Sequence, residues 1–352
     1  MEKVNVIMCC SDLSVKGGMV SVVQNFLGYD GWNEYQIKYV PTYVEKNKVL
    51  MILYFIFAYV KILFMCIGGK YKIAYFHTAE RGSFYRKSIL LRTLKHMGIK
   101  TVMHHHAAEF EEFYDSLSEN MKKYVNGTLE MADLNIVLSK RLVPMISDKA
   151  PKARVNYLYN AVNTYETNPY NSDAKNVLFL GRLGKRKGTY DLLEVIKRLD
   201  KKINAEIKFF LCGDGDILGI EERIKDLGIS HRIAHIGWIS MSDKKKFFEN
   251  TMINVLPSYN EGLPMTILET MAYGIPNIST NVASIPEVII DSINGYMIEP
   301  GDSEALEERI IKLITDNNLR IDMSQKSWAL ISNNFALDNQ IEKLKAYLAE
   351  LR

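Results

Sequence analysis

Two carboxylates, Glu261 and Glu269, separated by seven residues, lie in the stretch Tyr259–Pro276, which reads YNEGLPMTILETMAYGIP. The order of residue types is a turn, EGLP, followed by the start of a helix. Pro264 suits the first helical position, where its missing N–H costs nothing, and Gly274 suits a left-handed stop with Pro276 just beyond. Glu261 then lies on the loop entering the helix, and Glu269 about one and a half turns inside it. Helical side chains lean toward the N-terminus, so the Glu269 carboxylate leans back toward the end that Glu261 guards. That end also presents unpaired N–H groups and positive dipole potential, which suit a phosphate. A bidentate carboxylate beside an anion site fits a nucleotide, with the ribose diol on the acid and the diphosphate on the amides. Alone, two glutamates at this spacing read as an ordinary helix with one solvated acid. Three further segments overturn that reading.

Phe179–Gly188, FLGRLGKRKG, is an apolar strand followed by a loop that carries Arg182 and Lys187. Arg offers a planar fork of donors and Lys a mobile point charge, a good pair for a diphosphate leaving group. Near the N-terminus, VNVIMCCSDLSVKGGMVSVVQNFL is a strand, a loop, the pair Gly17-Gly18 and an amphipathic helix. Glycines let backbone approach a ligand at a helix start. KTVMHHHAAEF ends a strand on His106. Together these segments resemble the retaining glycosyltransferase family 4. The resemblance runs over nearly the whole chain and is strongest from Asn176 to Pro300. There GRLGKRKG, FFLCGDG, IAHIGW, NVLPSYNEGLPMTILETMAYGIP, ASIPEVI and NGYMIEPGD follow in the family's order. One such motif is weak evidence; the ordered set is strong.

The resemblance implies the α/β GT-B fold, two facing Rossmann-like domains with a donor cleft between them and a C-terminal helix crossing back. Residues 1–165 are then the acceptor-binding domain, 166–335 the nucleotide-sugar-binding domain, and 336–352 the helix that packs back on the first. It also implies roles. His106 matches a strand-end position that contacts the donor sugar near the reacting centre, although Ala107 follows where the family usually has Gly or Asp. Glu261 matches an acid close to the donor sugar, with Gly262 and Leu263 offering backbone N–H groups, and Glu269 matches the acid that holds the ribose hydroxyls. Arg182 and Lys187 match the pyrophosphate clamp, and Gly17 and Gly18 the paired glycines of the first loop. Ala283-Ser284 stand where the family often carries two glycines.

Each residue also has a plainer account. Arg182 and Lys187 read alone as a solvated basic loop, Gly17-Gly18 as an ordinary strand-to-helix turn, and the two acids as structural. On a strand His104 and His106 face one way and His105 the other, so the triplet does not make one chelating face, although His77 could be nearby. His104 and His105 read as packing or surface residues. GDGDILG, at Gly213–Gly219, imitates a dinucleotide fingerprint, but no acidic ribose ligand follows at the expected place. Asp214 and Asp216 imitate a metal-binding pair, whereas the resemblance implies a metal-free enzyme in which Arg and Lys supply the charge. No cofactor is expected.

Apolar content of 47% and charged content of 24% are those of a soluble globular protein, and 352 residues suit two domains. Cys9, Cys10, Cys66 and Cys212 lie in apolar runs without paired spacing and read as reduced cysteines of a cytoplasmic protein. The opening residues lead directly into a strand, with no signal peptide expected. Residues 1–165 carry 21 Lys/Arg against 14 Asp/Glu, a net +7, and the remainder 23 against 27, a net −4. A basic half attracts an anionic partner, and without a nucleic-acid-reading motif the inner face of the cytoplasmic membrane is the better expectation.

Strand-like runs alternate with helical ones: Val4–Cys10, Gln36–Pro41, Lys72–Phe76, Lys100–His105, Leu134–Leu138 and Val155–Leu158. After a polar linker, Thr164–Lys175, come Val177–Gly181, Ile207–Gly213, Ile233–Gly237, Ile253–Pro257 and Asn277–Thr280. This rhythm predicts parallel sheets, whose ligands bind beyond the carboxyl ends of the strands. Loop Asn160–Thr164 is the expected hinge, and Asp338–Leu351 has helical spacing. Val49–Ile67 is apolar except for Lys61, long enough to span a bilayer, and flanked by Lys46, Lys48, Lys70 and Lys72. The strands on either side belong to one sheet, which a single span would separate. Two readings remain, a buried crossover helix and a helix resting one face in a lipid interface.

The sequence therefore predicts a metal-independent retaining glycosyltransferase of cell-surface polysaccharide synthesis. Its donor is a nucleotide-diphospho-sugar, its acceptor a glycan or lipid-linked glycan. The alternatives are a GT-B sugar-nucleotide epimerase and an inactive sugar-nucleotide-binding subunit.

Overall fold

Short apolar runs rich in β-branched and aromatic residues form the strands, and amphipathic stretches between them form the crossovers. The computed structural model describes residues 3–352. The chain divides into two units, one of residues 1–161 with 337–352 and one of residues 162–336.

In the first unit the order is β1 (Val4–Cys10), α1 (Gly18–Leu27), β2 (Tyr35–Pro41), α2 (Lys48–Ile67), β3 (Tyr71–Thr78), α3 (Gly82–His96), β4 (Lys100–His105), α4 (Phe110–Asp115), α5 (Glu119–Met131), β5 (Leu134–Val137), α6 (Val143–Ser147) and β6 (Val155–Tyr157). The strands pair in parallel in the order 2-1-3-4-5-6. Ile7, Cys9, Phe76 and Met103 pack against Ile62 and Cys66 of α2 and Leu90, Leu91 and Leu94 of α3. Neighbouring connections leave the sheet in opposite directions between β1 and β3, which makes that gap the switch point.

The second unit runs β7 (Asn176–Leu180), α7 (Thr189–Leu199), β8 (Lys208–Cys212), α8 (Ile217–Leu227), β9 (Ile233–Gly237), α9 (Met241–Glu249), β10 (Thr251–Leu256), α10 (Met265–Ala272), β11 (Asn277–Thr280), β12 (Gly295–Ile298), α11 (Ser303–Thr315) and α12 (Asn317–Asn334). Its parallel order is 12-11-10-7-8-9, so the switch point lies between β7 and β10. A last helix, α13 (Leu337–Ala349), returns to the first unit. There the Tyr35 hydroxyl donates to Lys345 O at 3.2 Å and the Tyr347 hydroxyl to Tyr157 O at 3.1 Å.

Three sequence expectations change. The stretch 164–175 is not a free linker: the Tyr170 hydroxyl donates to Met252 O at 2.8 Å and accepts from Arg320 Nε at 2.9 Å. Strand β12 carries only four residues between turns, too short to announce itself. Pro264 is extended, with φ −69° and ψ 122°, and caps α10 from outside instead of occupying its first turn. Gly274 does adopt the left-handed stop, φ +72°. Ile275 N–H bonds Thr270 O at 2.9 Å and Gly274 N–H bonds Met271 O at 2.9 Å, closing the helix end. A methyl group there would lie 1.9 Å from Asn168 Oδ1. Gly274→Ala is expected to destabilise the second unit by about 1–3 kcal/mol, through backbone strain and overpacking. Thermal unfolding checks this, and a midpoint equal to the wild type would contradict it.

Candidate functional site

The second unit gathers its charged residues where β7 and β10 end. Gly188, at φ +68°, lets the loop fold against the end of β10, where a Cβ would lie 2.1 Å from Pro257 O. That approach, with Tyr259 N–H on Arg186 O at 2.9 Å, fixes the basic turn Lys185–Lys187 beside the loop leading to α10. Lys187 Nζ donates to Glu261 Oε1, and the Ser258 hydroxyl donates to the same oxygen at 2.7 Å. The pair is nearly enclosed, with side-chain exposures of 14% for Lys187 and 6% for Glu261. Burial pulls the Lys187 pKa down, while the Glu261 charge opposes that shift. Breaking such a pair strands a charge in the interior, so the two residues hold each other in place.

Gly262 and Leu263 are buried behind Glu261, and Gly262 O accepts from Ser284 N–H at 3.2 Å. Helix α10 is set by a buried polar network in which Asn254 Nδ2 donates to Asn277 Oδ1 at 2.6 Å and Asn277 Nδ2 to Thr270 Oγ1 at 3.0 Å. Glu269 does not stand alone on this helix: Lys244 Nζ of α9 donates to both its oxygens, at 2.8 and 2.7 Å. Arg182 is exposed on the loop after β7. Sequence reasoning missed Ser258 and Lys244, since nothing in their local sequence marks a role given only by tertiary contact.

In the first unit, Gly17 precedes α1 with φ +141°, a conformation that requires glycine, and Gly18 begins the helix. His106 follows β4; its N–H donates to Thr78 O at 2.7 Å, which extends the pairing of β3 with β4. The triplet makes no single chelating face, as strand alternation predicts: His105 pairs with Asn135, while His77 joins His104 and His106. Nitrogens of His77, His104 and His106 lie within 4.8 Å of one another, because His77 on β3 stands beside the β4 pair. His77 Nδ1 and His106 Nε2 share a hydrogen bond at 2.9 Å with stacked rings, and His104 Nδ1 meets the Tyr75 hydroxyl at 2.8 Å. His104 and His105 are both fully buried, His105 Nε2 pairing with Asn135 Oδ1 at 3.1 Å. Burial holds all four imidazoles below their ordinary pKa, His105 at about 4. Such uncharged rings can donate or accept single hydrogen bonds to a sugar hydroxyl, and among the described residues no carboxylate makes a hydrogen bond or ion pair with them.

Two parallel, doubly wound units of this order define the GT-B fold. Sucrose-phosphate synthase from Thermosynechococcus elongatus superposes with a TM-score of 0.80 at 15% identity, covering 99% of each chain. Anabaena Alr3699/HepE, in complex with UDP and glucose, gives 0.76 at 15% identity, covering 99% of this chain and 100% of that one. Residues 163–328, nearly all of the second unit, match glycosyl transferases group 1. A lipopolysaccharide core biosynthesis glycosyltransferase from Rhizobium meliloti is 30% identical over 166 residues, 47% of this chain and 47% of its own. The chain spans about half the length of the curated relatives it matches.

The histidines give an acid-stability prediction. A folded pKa below the unfolded one means that the unfolded chain takes up more protons as pH falls, so stability is lost with acidification. For His105 that window runs from the unfolded value, about 6.5, down to about 4. The melting temperature is expected to fall steadily across it and His105→Gln to flatten the slope; an unchanged slope would show that His105 does not titrate this way.

Proposed function

We propose that this protein is a retaining, metal-independent glycosyltransferase. It moves a hexosyl or N-acetylhexosaminyl group from a nucleotide-diphospho-sugar to a lipid-linked glycan of a cell-surface polysaccharide, such as a capsule, O-antigen or exopolysaccharide. The observation that carries this reading is the enclosed Lys187–Glu261 pair at the second switch point, inside the segment that matches glycosyl transferases group 1. An ammonium has three donors, and Glu261 occupies one, leaving two for a diphosphate. Arg182 supplies a second, exposed cation for the same leaving group. Charge on that group grows as the glycosidic bond breaks, so both cations stabilise the transition state more than the bound donor. Gly262 and Leu263 offer N–H groups, Glu269 holds the ribose hydroxyls while Lys244 fixes its carboxylate, and Gly17, Gly18 and His106 keep the donor roles that the family resemblance implies. Retention follows from same-face attack as the diphosphate departs, with no protein nucleophile.

A panel of labelled nucleotide sugars, incubated with the protein in excess chelator, tests this. Slow hydrolysis or transfer is expected, with Lys187→Ala lowering turnover and Glu269→Ala weakening nucleotide diphosphate binding by about tenfold or more, the effect of one lost charged hydrogen bond. Interconversion of sugars would indicate an epimerase, binding without turnover an inactive subunit, and activity restored only by magnesium would refute the metal-free assignment.

The lipid-linked acceptor rests on α2. Its 20 residues bury only Ala58, Ile62 and Cys66, while Phe57 and Phe64 are 69% and 72% exposed. An apolar helix face flanked by lysines, in a unit with net positive charge, suits the inner face of an anionic membrane. Ile56, Phe57 and Phe64 are all exposed, so replacing them by Ser is expected to preserve folding and donor hydrolysis but release the protein from anionic vesicles. Unchanged vesicle binding would place the membrane contact elsewhere.

A further inference from the structure

Helix α3 presents an electrostatic anomaly. Arg86 and Lys87 are adjacent cations, Lys87 fully buried and Arg86 half-buried. Arg86 Nε and Lys87 Nζ are enclosed without a hydrogen-bond partner, and neither side chain has an ion pair among the described residues. Buried charges are ordinarily paired, and two uncompensated ones side by side add mutual repulsion to desolvation. Burial draws the Lys87 pKa down to about 8.

Their position is as informative as their isolation. Helix α3 follows β3, at the carboxyl edge of the switch point where an open parallel sheet receives its ligand. Hydrogen bonding in α3 begins with Tyr85 N–H on Arg81 O at 3.1 Å, so the N–H groups of Gly82, Ser83 and Phe84 precede the ladder. Arg86 folds back over this turn: a Cβ on Gly82 would lie 3.3 Å from its Nη1. The guanidinium also stacks over Tyr43, 4.7 Å from the ring centre, on the loop that leads into α2. Tyr43 O accepts from Asp12 N–H at 2.7 Å, and Asp12 Oδ2 accepts from the Tyr54 hydroxyl of α2 at 3.3 Å. Arg86 is thus joined through a short chain of contacts to the exposed apolar helix.

We propose that Arg86, the first turn of α3 and the Lys87 charge beneath them bind the phosphate or diphosphate head of the acceptor lipid, whose chain lies along α2. This rests on the glycosyltransferase reading and names the anionic group by which that enzyme recognises its acceptor. Arg86 and the helix N–H groups contact the phosphate oxygens, and Lys87 contributes charge from the floor. A nucleotide diphosphate carries the same chemistry, but the continuity with α2 assigns the site to the lipid.

Isothermal titration with farnesyl diphosphate, inorganic pyrophosphate and UDP separates the sources. The wild type is expected to bind farnesyl diphosphate more tightly than pyrophosphate, and Arg86→Gln to weaken both by about tenfold or more while leaving UDP unchanged. Lys87→Met is expected to melt no lower than the wild type, since it removes an uncompensated charge, yet to lose much of the melting-temperature rise that pyrophosphate gives. Unchanged farnesyl diphosphate binding in Arg86→Gln would overturn the site. Equal weakening of UDP would assign the anion to the donor, and equal affinity for the two acceptor probes would remove the lipid from the proposal. A Lys87→Met protein that melts lower and keeps the full pyrophosphate effect would make Lys87 structural. If the wild type binds neither acceptor probe but hydrolyses a nucleotide sugar, the site fails and the enzyme reading stands. Pyrophosphate binding without hydrolysis of any nucleotide sugar overturns the enzyme reading instead.

Discussion

Parallel pairing is the constraint on which everything else hangs. When every strand of a sheet runs the same way, all carboxyl ends lie on one edge and each connection must return across a face before the next strand begins. Loops on that edge are free to differ because the buried strands carry the packing. In the first unit this edge holds Gly17, His77, His106 and the start of α3; in the second it holds Arg182, Lys187 and Glu261. The residues with chemistry are far apart in sequence, and strand order brings them together. Lys187 and Glu261, 74 positions apart, pair because β7 and β10 are neighbours.

The two switch points solve the problem of buried charge differently. In the second unit the enclosed lysines have their acids: Lys187 has Glu261, and Lys244 has Glu269. Those carboxylates are held in place before any ligand arrives, the preorganisation that electrostatic catalysis requires. At the first switch point the histidines are neutral and bond one another, Tyr75 and Asn135, while Arg86 and Lys87 have no counter-charge among the described residues. One site is complete without its ligand, whereas the other is electrostatically open.

Much of this was legible in sequence. Strand rhythm, the helix after EGLP, its glycine stop and the loop bearing Lys187 depend on local residue types, and local types are what periodicity and turn chemistry report. The limits are equally physical. Strand β12 is four residues long and buried by neighbours, so its identity comes from the sheet, not from its own pattern. The His77 contact depends on the register of β3 against β4, and Lys244 reaches Glu269 from a different helix. Neither register nor interhelical reach leaves a mark within a short window. The apolar run Val49–Ile67 was visible at once, but only the packing shows that it buries a narrow stripe and leaves most of its surface to solvent.

The return of α13 to the first unit has a consequence for biosynthesis. Residues 162–336 form one continuous stretch, so that unit waits for no residue made after it. The first unit, though begun earlier, lacks residues 337–352 until all of the second unit has been made, and its Tyr35 and Tyr157 partners arrive only then. Order of translation and order of completion are therefore inverted. During that interval the nascent first unit exposes the groove filled by Ile341, Leu344 and Leu348 together with the apolar face of α2, so chaperone shielding matters until α13 docks.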